Sequence, residues 1–147
     1  MTDSLQYIKR VPTVSEFQDL RANAGWRIPP ESVLKDSLAK TIFGICVETF
    51  NGTTIGMGRL VGDGGIQVFI TDVIVHEQWQ NRGIGKQIMK SLMKYVDEAA
   101  SPATFVGLFS AFGCEDFYKA FGFITRPNRT LGPGMIYFPA KEDNEKG

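Results

Sequence analysis

The densest chemistry in this chain lies in six residues, Gln80-Asn81-Arg82-Gly83-Ile84-Gly85. They stand between an apolar run, Phe69 to Val75, and a segment in which Ile84, Ile88, Met89, Leu92, Met93 and Val96 recur at helical spacing. A strand feeding a helix whose first turn is Gly-x-Gly presents backbone N–H groups that have no intrahelical partner. The helix dipole adds about half a positive charge at the same place. That combination binds phosphate. Two familiar phosphate ligands fit poorly. Ile88 stands where a dinucleotide fingerprint has its third glycine. Lys86 is followed by Gln87, and no glycine occupies the earlier position that a nucleotide P-loop requires.

Other reactive side chains are few. Asp72 lies inside the apolar run, and His76, the single histidine, follows it with Glu77 in a loop. Tyr118 belongs to an aromatic stretch, Phe117-Tyr118-Lys119-Ala120-Phe121-Gly122-Phe123. Cys46 and Cys114 are far apart and lack metal-type spacing, so no metal is expected. Neither has a histidine near it in sequence, and both read as small buried residues rather than nucleophiles.

Composition narrows the classes further. Lys+Arg and Asp+Glu number 16 each, so no net field recruits nucleic acid or an anionic membrane. No apolar run reaches the length of a membrane span, and the first ten residues lack a signal-peptide core. A cytoplasmic, reduced protein is expected. Its 147 residues suit a single domain, 1–147.

The elements that must position these residues can be read in order. Tyr7 to Val11 reads as a short edge strand, and Thr13-x-x-Glu16 as a capping box opening a helix that stops near Gly25. Pro29-Pro30 suits the start of a second helix, Glu31 to Ala39. Strands Ile42 to Phe50 and Thr54 to Val61 flank Asn51-Gly52, a type I′ hairpin signal. Asp63-Gly64-Gly65 turns the chain into a third strand of the meander, Ile66 to Val75. The helix Gly83 to Ala99 then joins it to a strand at Thr104 to Ser110, a crossover that makes these two strands parallel. A helix over Gly113 to Phe121 ends at Gly122. Two terminal strand-like pieces, Phe123 to Arg126 and Met135 to Phe138, and a polar, frayed tail from Lys141 to Gly147 complete the reading.

A [Q/R]-x-x-G-x-[G/A] turn after Asp72-Val73-Ile74-Val75, followed some thirty residues on by Phe117-Tyr118-x-x-x-Gly122-Phe123, resembles the GNAT N-acetyltransferase superfamily. The resemblance covers nearly the whole chain. It implies an α+β GNAT fold: a central mixed, mostly antiparallel sheet, splayed at its parallel strand pair and flanked by about four helices. It implies acetyl-CoA as co-substrate, with the backbone of Val73, Ile74 and Val75 along the pantetheine arm. The turn Gln80, Asn81, Arg82, Gly83, Ile84, Gly85 and Lys86 would hold the pyrophosphate. By the same resemblance Tyr118 is the general acid for the departing CoA sulfur. Asp72 matches an acidic position that faces the amine in polyamine-type acetyltransferases, and is the candidate base. Where some members carry a glutamate further up the strand this chain has Phe69, which leaves room for a water relay. Dimerisation through terminal strands is also common in the family.

An amine acceptor arrives protonated, and at an alkylammonium pKa of about 10.4 its deprotonation at neutral pH costs roughly 4 kcal/mol. A base or a water chain must take that proton before the amine attacks the thioester. By the same resemblance, whose members carry a bulge in this strand, the backbone N–H of Val73 or Ile74 would stabilise the oxyanion. No covalent enzyme intermediate is needed. Trp26 and Arg27, between the first two helices, and Phe69 are the candidate acceptor wall; Asp63, Arg126 and Arg129 are further loop candidates. The aromatic neighbours suit an arylalkylamine, and Gly-Arg-Leu-x-Gly-Asp-Gly with Arg-Pro-Asn and Gly-Pro-Gly-Met also looks like plant-type aromatic-amine acetyltransferases. A small-molecule primary amine is therefore the expected acceptor. The alternatives are a protein or peptide acceptor, or a silent acyl-CoA sensor; Tyr118 argues against the sensor, because binding alone needs no acid.

Overall fold

A computed structural model describes residues 4–139, so the expected tail from Lys141 to Gly147 lies outside the described residues. By their contacts the residues form two compact units, one up to Phe109 and one from Ser110. The first unit is built on a five-stranded sheet in the order β1-β2-β3-β4-β5, with β1 Gln6–Ile8, β2 Phe43–Glu48, β3 Thr54–Gly62, β4 Gln67–Val75 and β5 Phe105–Leu108. The first four strands are antiparallel neighbours, and β4 pairs with β5 in parallel. The parallel pair follows from the crossover helix α3, Ile84–Ala99, as the sequence predicts.

Helices cover both faces. On one, α1 (Val14–Ala24) and α2 (Glu31–Ala39) bury Phe17, Leu20, Leu34 and Leu38 against Met57 and Ile74. Thr13 and Glu16 form the predicted capping box, and Gly25 ends α1 in the left-handed conformation. On the other face α3 lies directly on β3, where glycines make room for it. A Cβ at Gly58 would stand 2.8 Å from Ile88 Cγ2 and 3.0 Å from Leu92 Cδ1. Tyr95 stacks on Phe43 at 4.6 Å between ring centroids, fixing the far end of α3 on β2.

Three details differ from the sequence reading. The β2–β3 connection is not a type I′ turn: Gly52 is left-handed but Asn51 is not, and the turn closes by Gly52 N–H donating to Thr49 C=O. A register shift beside Val47 and Glu48 absorbs the extra loop residue. Second, α4 is only Glu115–Lys119, in the second unit, where Gly122 adopts the expected positive φ. Third, residues 123–126 and 135–138 form no strand. Alternating apolar residues signal a half-buried face, but strand structure also needs a partner edge, and within this unit none is present among the described residues.

Candidate active site

The site begins where β4 and β5 part. Their pairing covers Gln67 to Ile70 against Phe105 to Leu108 and stops. Beyond it, Thr71 to Val75 keeps β3 on one side and has no strand on the other among the described residues. An unpaired strand edge offers N–H and C=O groups to an extended ligand.

At this point β4 carries a bulge. Met57 pairs with Ile74 and Arg59 with Thr71, so Gly58 alone faces both Asp72 and Val73. Asp72 has φ +58°, a left-handed conformation that Asp tolerates better than most residues. In regular alternation Asp72 would face α3, opposite to Thr71 and Arg59. The bulge turns it instead toward α1 and α2, where it is buried and Arg59 donates to Oδ2 at 2.8 Å and Arg21 to Oδ1 at 2.9 Å. Both carboxylate oxygens thus accept from guanidinium groups, a different setting from the amine-facing one that the sequence suggests.

The two arginines are themselves held. Arg59 donates from Nε to Thr41 Oγ1 and from its other terminal nitrogen to the Ser37 carbonyl. Arg21 donates from Nε to the Arg27 carbonyl at 2.7 Å and lies over the rings of Phe17 and Trp26. Neither arginine is among the candidates that the sequence offers, although the sequence carries a signal for one of them. Arg59 interrupts the apolar strand Ile55 to Val61, and a charge there demands a buried partner.

After β4 the chain makes a single 3-10 turn, Glu77–Trp79. His76 is half-buried: its Nδ1 accepts from Gln78 N–H, and its Nε2 lies 3.1 Å from the Asn23 side-chain nitrogen. Gln80 donates from its side chain to the Val75 carbonyl at 2.9 Å, tying the glycine turn to the strand end. Asn81 and Gly83 are both left-handed, at φ +64° and +80°. The first helical bond of α3 runs from Gln87 N–H to the carbonyl of its cap, Gly83, at 3.1 Å, so the N–H groups of Ile84, Gly85 and Lys86 lie before the helical ladder begins. Nothing stands within 4 Å of where a Cβ on Gly83 would be. Open space beside Gly83, at the start of these first-turn N–H groups, fits a pyrophosphate.

The expected acceptor residues are dispersed. Trp26 and Arg27 are exposed, and Arg21 links them to Asp72. Phe69 packs edge-on against Phe109 at 5.1 Å, and its ring and that of Phe105 converge over Gly107. Asp63 is occupied with its own turn: Oδ1 accepts from the N–H groups of Gly65, Ile66 and Gln67, and these hold its carboxyl below the usual range. In the second unit Arg126 donates to the Gly132 carbonyl, within its own loop. Tyr118 is half-buried, with Phe117 and Phe123 edge-on to its ring, and burial raises its pKa above the ordinary value of 10. It therefore keeps its proton at neutral pH. Cys46 is buried as expected, its thiol pushed up to about 12 by desolvation, whereas Cys114 is exposed, contrary to expectation. It sits at the start of a single-turn helix, which is too short to bury it. Among the described residues no cluster of side chains could hold a metal, and no helix is long and apolar enough to cross a membrane.

A family model described as an acetyltransferase (GNAT) domain matches residues 41–125, more than half of the chain. The chain belongs to the GNAT acetyltransferase family, and it is an N-acetyltransferase by that membership. It is 28% identical over 127 residues to an uncharacterized N-acetyltransferase, ycf52, of Porphyra purpurea, covering 84% of this chain and 71% of that protein. Two solved structures share the fold over their full length. One, a protein of unknown function from methicillin-resistant Staphylococcus aureus, is 27% identical with a TM-score of 0.81 over 91% of this chain. The other, a GNAT-family acetyltransferase from Streptococcus pneumoniae, is 25% identical with a TM-score of 0.77 over 94%.

Proposed function

We propose that this chain transfers the acetyl group of acetyl-CoA directly to the primary amine of a small molecule. The observation that carries the reading is the bulged strand edge at Val73 to Val75, leading into the left-handed turn at Asn81 and Gly83. The pantetheine arm would pair along that edge, and the N–H groups of Gly83, Ile84, Gly85 and Lys86 would hold the pyrophosphate. Bound there, acetyl-CoA supplies an activated thioester. The amine attacks the thioester carbon, a C–N bond forms and the C–S bond breaks. An N–H of the bulge, at Val73 or Ile74, takes the developing negative charge. By the motif it shares with the family, Tyr118 is the candidate acid for the departing thiolate, recovering its proton from solvent, which also collects the proton lost by the amine. The half-exposed rings of Phe69, Phe105 and Phe109 favour an aromatic acceptor over a polycationic one. Two free cysteines and no disulfide among the described residues suit a reducing compartment such as the cytoplasm.

The test is release of CoA thiol from acetyl-CoA by purified protein against aromatic monoamines, polyamines, amino acids, aminoglycosides and short peptides. Release that depends on arylalkylamines is the expected result. Acetyl-CoA binding without release for any acceptor would instead support the sensor reading, and release that needs peptides would support a protein acceptor.

A further inference from the structure

We infer that Arg21, Asp72 and Arg59 form a clamp that positions the reaction: it sets the β4 bulge whose N–H groups face the thioester and joins that bulge to the Trp26–Arg27 loop. The inference rests on the acetyltransferase reading of the bulge. It makes Asp72 a positioning residue, where the sequence alone presents it as the base.

Three observations converge. The left-handed backbone of Asp72 is unfavourable for a residue with a side chain, and it persists only where surroundings hold it. Here the hold is visible, since the same turn of the backbone brings the carboxylate to two guanidinium groups at 2.8 and 2.9 Å. Each guanidinium is anchored on a different helix. Arg59 is tied to α2 through Ser37, and nearby to Thr41, while Arg21 projects from α1 itself. Among the described residues, the charged groups bonded to Asp72 are these two arginines, one from α1 and one from β3, and α2 contributes the neutral Ser37 carbonyl behind Arg59.

The second consequence concerns Arg21. One guanidinium donates to Asp72 and to the Arg27 carbonyl, and lies 5.3 Å from the Trp26 ring centroid. Any acceptor that presses on Trp26 acts on the group that holds the bulge. Arg21 thereby couples the acceptor wall to the oxyanion donors through a single side chain. Arg59, more deeply buried and bonded away from that loop, shares in holding the bulge without touching the acceptor wall.

The experiment follows amide resonances and turnover together in wild type, Asp72→Asn and Arg21→Met. The probes are acetyl-CoA and 2-phenylethylamine. In wild type, acetyl-CoA should shift the amides of Gly83 and Gly85; absence of that shift would count against the acetyl-CoA site itself, not against the clamp. Asp72→Asn should displace the Val73 and Ile74 amides before any ligand is added, weaken acetyl-CoA binding less than tenfold because the glycine turn is intact, and lower kcat at least tenfold at every pH. The acidic limb of its pH–rate profile should keep its midpoint. Arg21→Met, which retains the Arg59 pair, should lower kcat less and raise KM for the amine several-fold. The inference is overturned if Asp72→Asn abolishes the acidic limb, because Asp72 is then the base, or if both variants leave the two amides and kcat unchanged. Loss of folding in both variants would also overturn it, in favour of a purely structural ion pair.

Discussion

Gly83 separates backbone strain from ligand crowding. It caps α3 at φ +80° and ψ 8°, and a Cβ added there meets no atom within 4 Å. In the free protein Gly83→Ala therefore suffers only the left-handed backbone penalty, about 1–2 kcal/mol. For a chain of this size that lowers Tm by roughly 3–8 °C. Asparagine tolerates the left-handed region and is a favoured helix N-cap, so Gly83→Asn should melt within about 2 °C of wild type. Both variants nevertheless put a side chain into the space assigned to the pyrophosphate. Displacing the phosphate from one charge-assisted N–H bond costs about 1.5–3 kcal/mol, or roughly ten- to a hundredfold in Kd. Calorimetric melting and acetyl-CoA titration of the two variants give the two quantities independently. Gly83→Asn with wild-type stability and weakened acetyl-CoA binding is expected. Wild-type affinity in Gly83→Asn would refute the placement of the pyrophosphate at this turn.

Three further outcomes test other parts of the molecule. Tyr118→Phe should cut kcat at least tenfold while leaving acetyl-CoA affinity within about threefold, measured by steady-state kinetics and titration; an unchanged kcat would remove the acid role. Glu16 accepts two bonds from Arg10, which hold its folded pKa at about 2 against an ordinary 4.5. A depressed carboxylate pKa contributes stability that is complete above 4.5 and is lost as pH falls toward about 2. Arg10→Met should therefore cost about 1–2 kcal/mol at pH 7 and flatten the acid-side decline in urea unfolding; the same pH dependence as wild type would contradict the pairing. Gly58→Ala drives a Cβ to 2.8 Å from Ile88 and should destabilise by about 1–3 kcal/mol in the same assay, whereas a neutral result would mean that α3 can lift off β3 without cost.

Much of this architecture was legible because local chemistry and long-range pattern agreed. The α1 capping box, the Gly25 stop, the span Glu31–Ala39 and the stripe on α3 follow from residue types within one helix and its caps. The glycine turn was legible for the same reason. The clamp was not, because its members lie 51 and 13 residues apart in sequence and meet only when a bulge reverses the face that Asp72 presents. Alternation would place Asp72 on the wrong side, and nothing local announces the extra residue in β4. The terminal strands failed for a related reason: Met135-Ile136-Tyr137-Phe138 has strand composition, but composition supplies no partner edge. Cys114 is of a residue type that is usually buried, but the shortness of α4 leaves it exposed.

Initial rates of thiol release, with acetyl-CoA and 2-phenylethylamine varied against each other, test direct transfer most plainly. Direct attack by the amine requires both substrates on the protein at once, so the reciprocal-rate lines should intersect. Parallel lines would mean that the acetyl group rests on the protein between two half-reactions, and release indifferent to the amine would mean that no acceptor is used; either result would contradict the assignment.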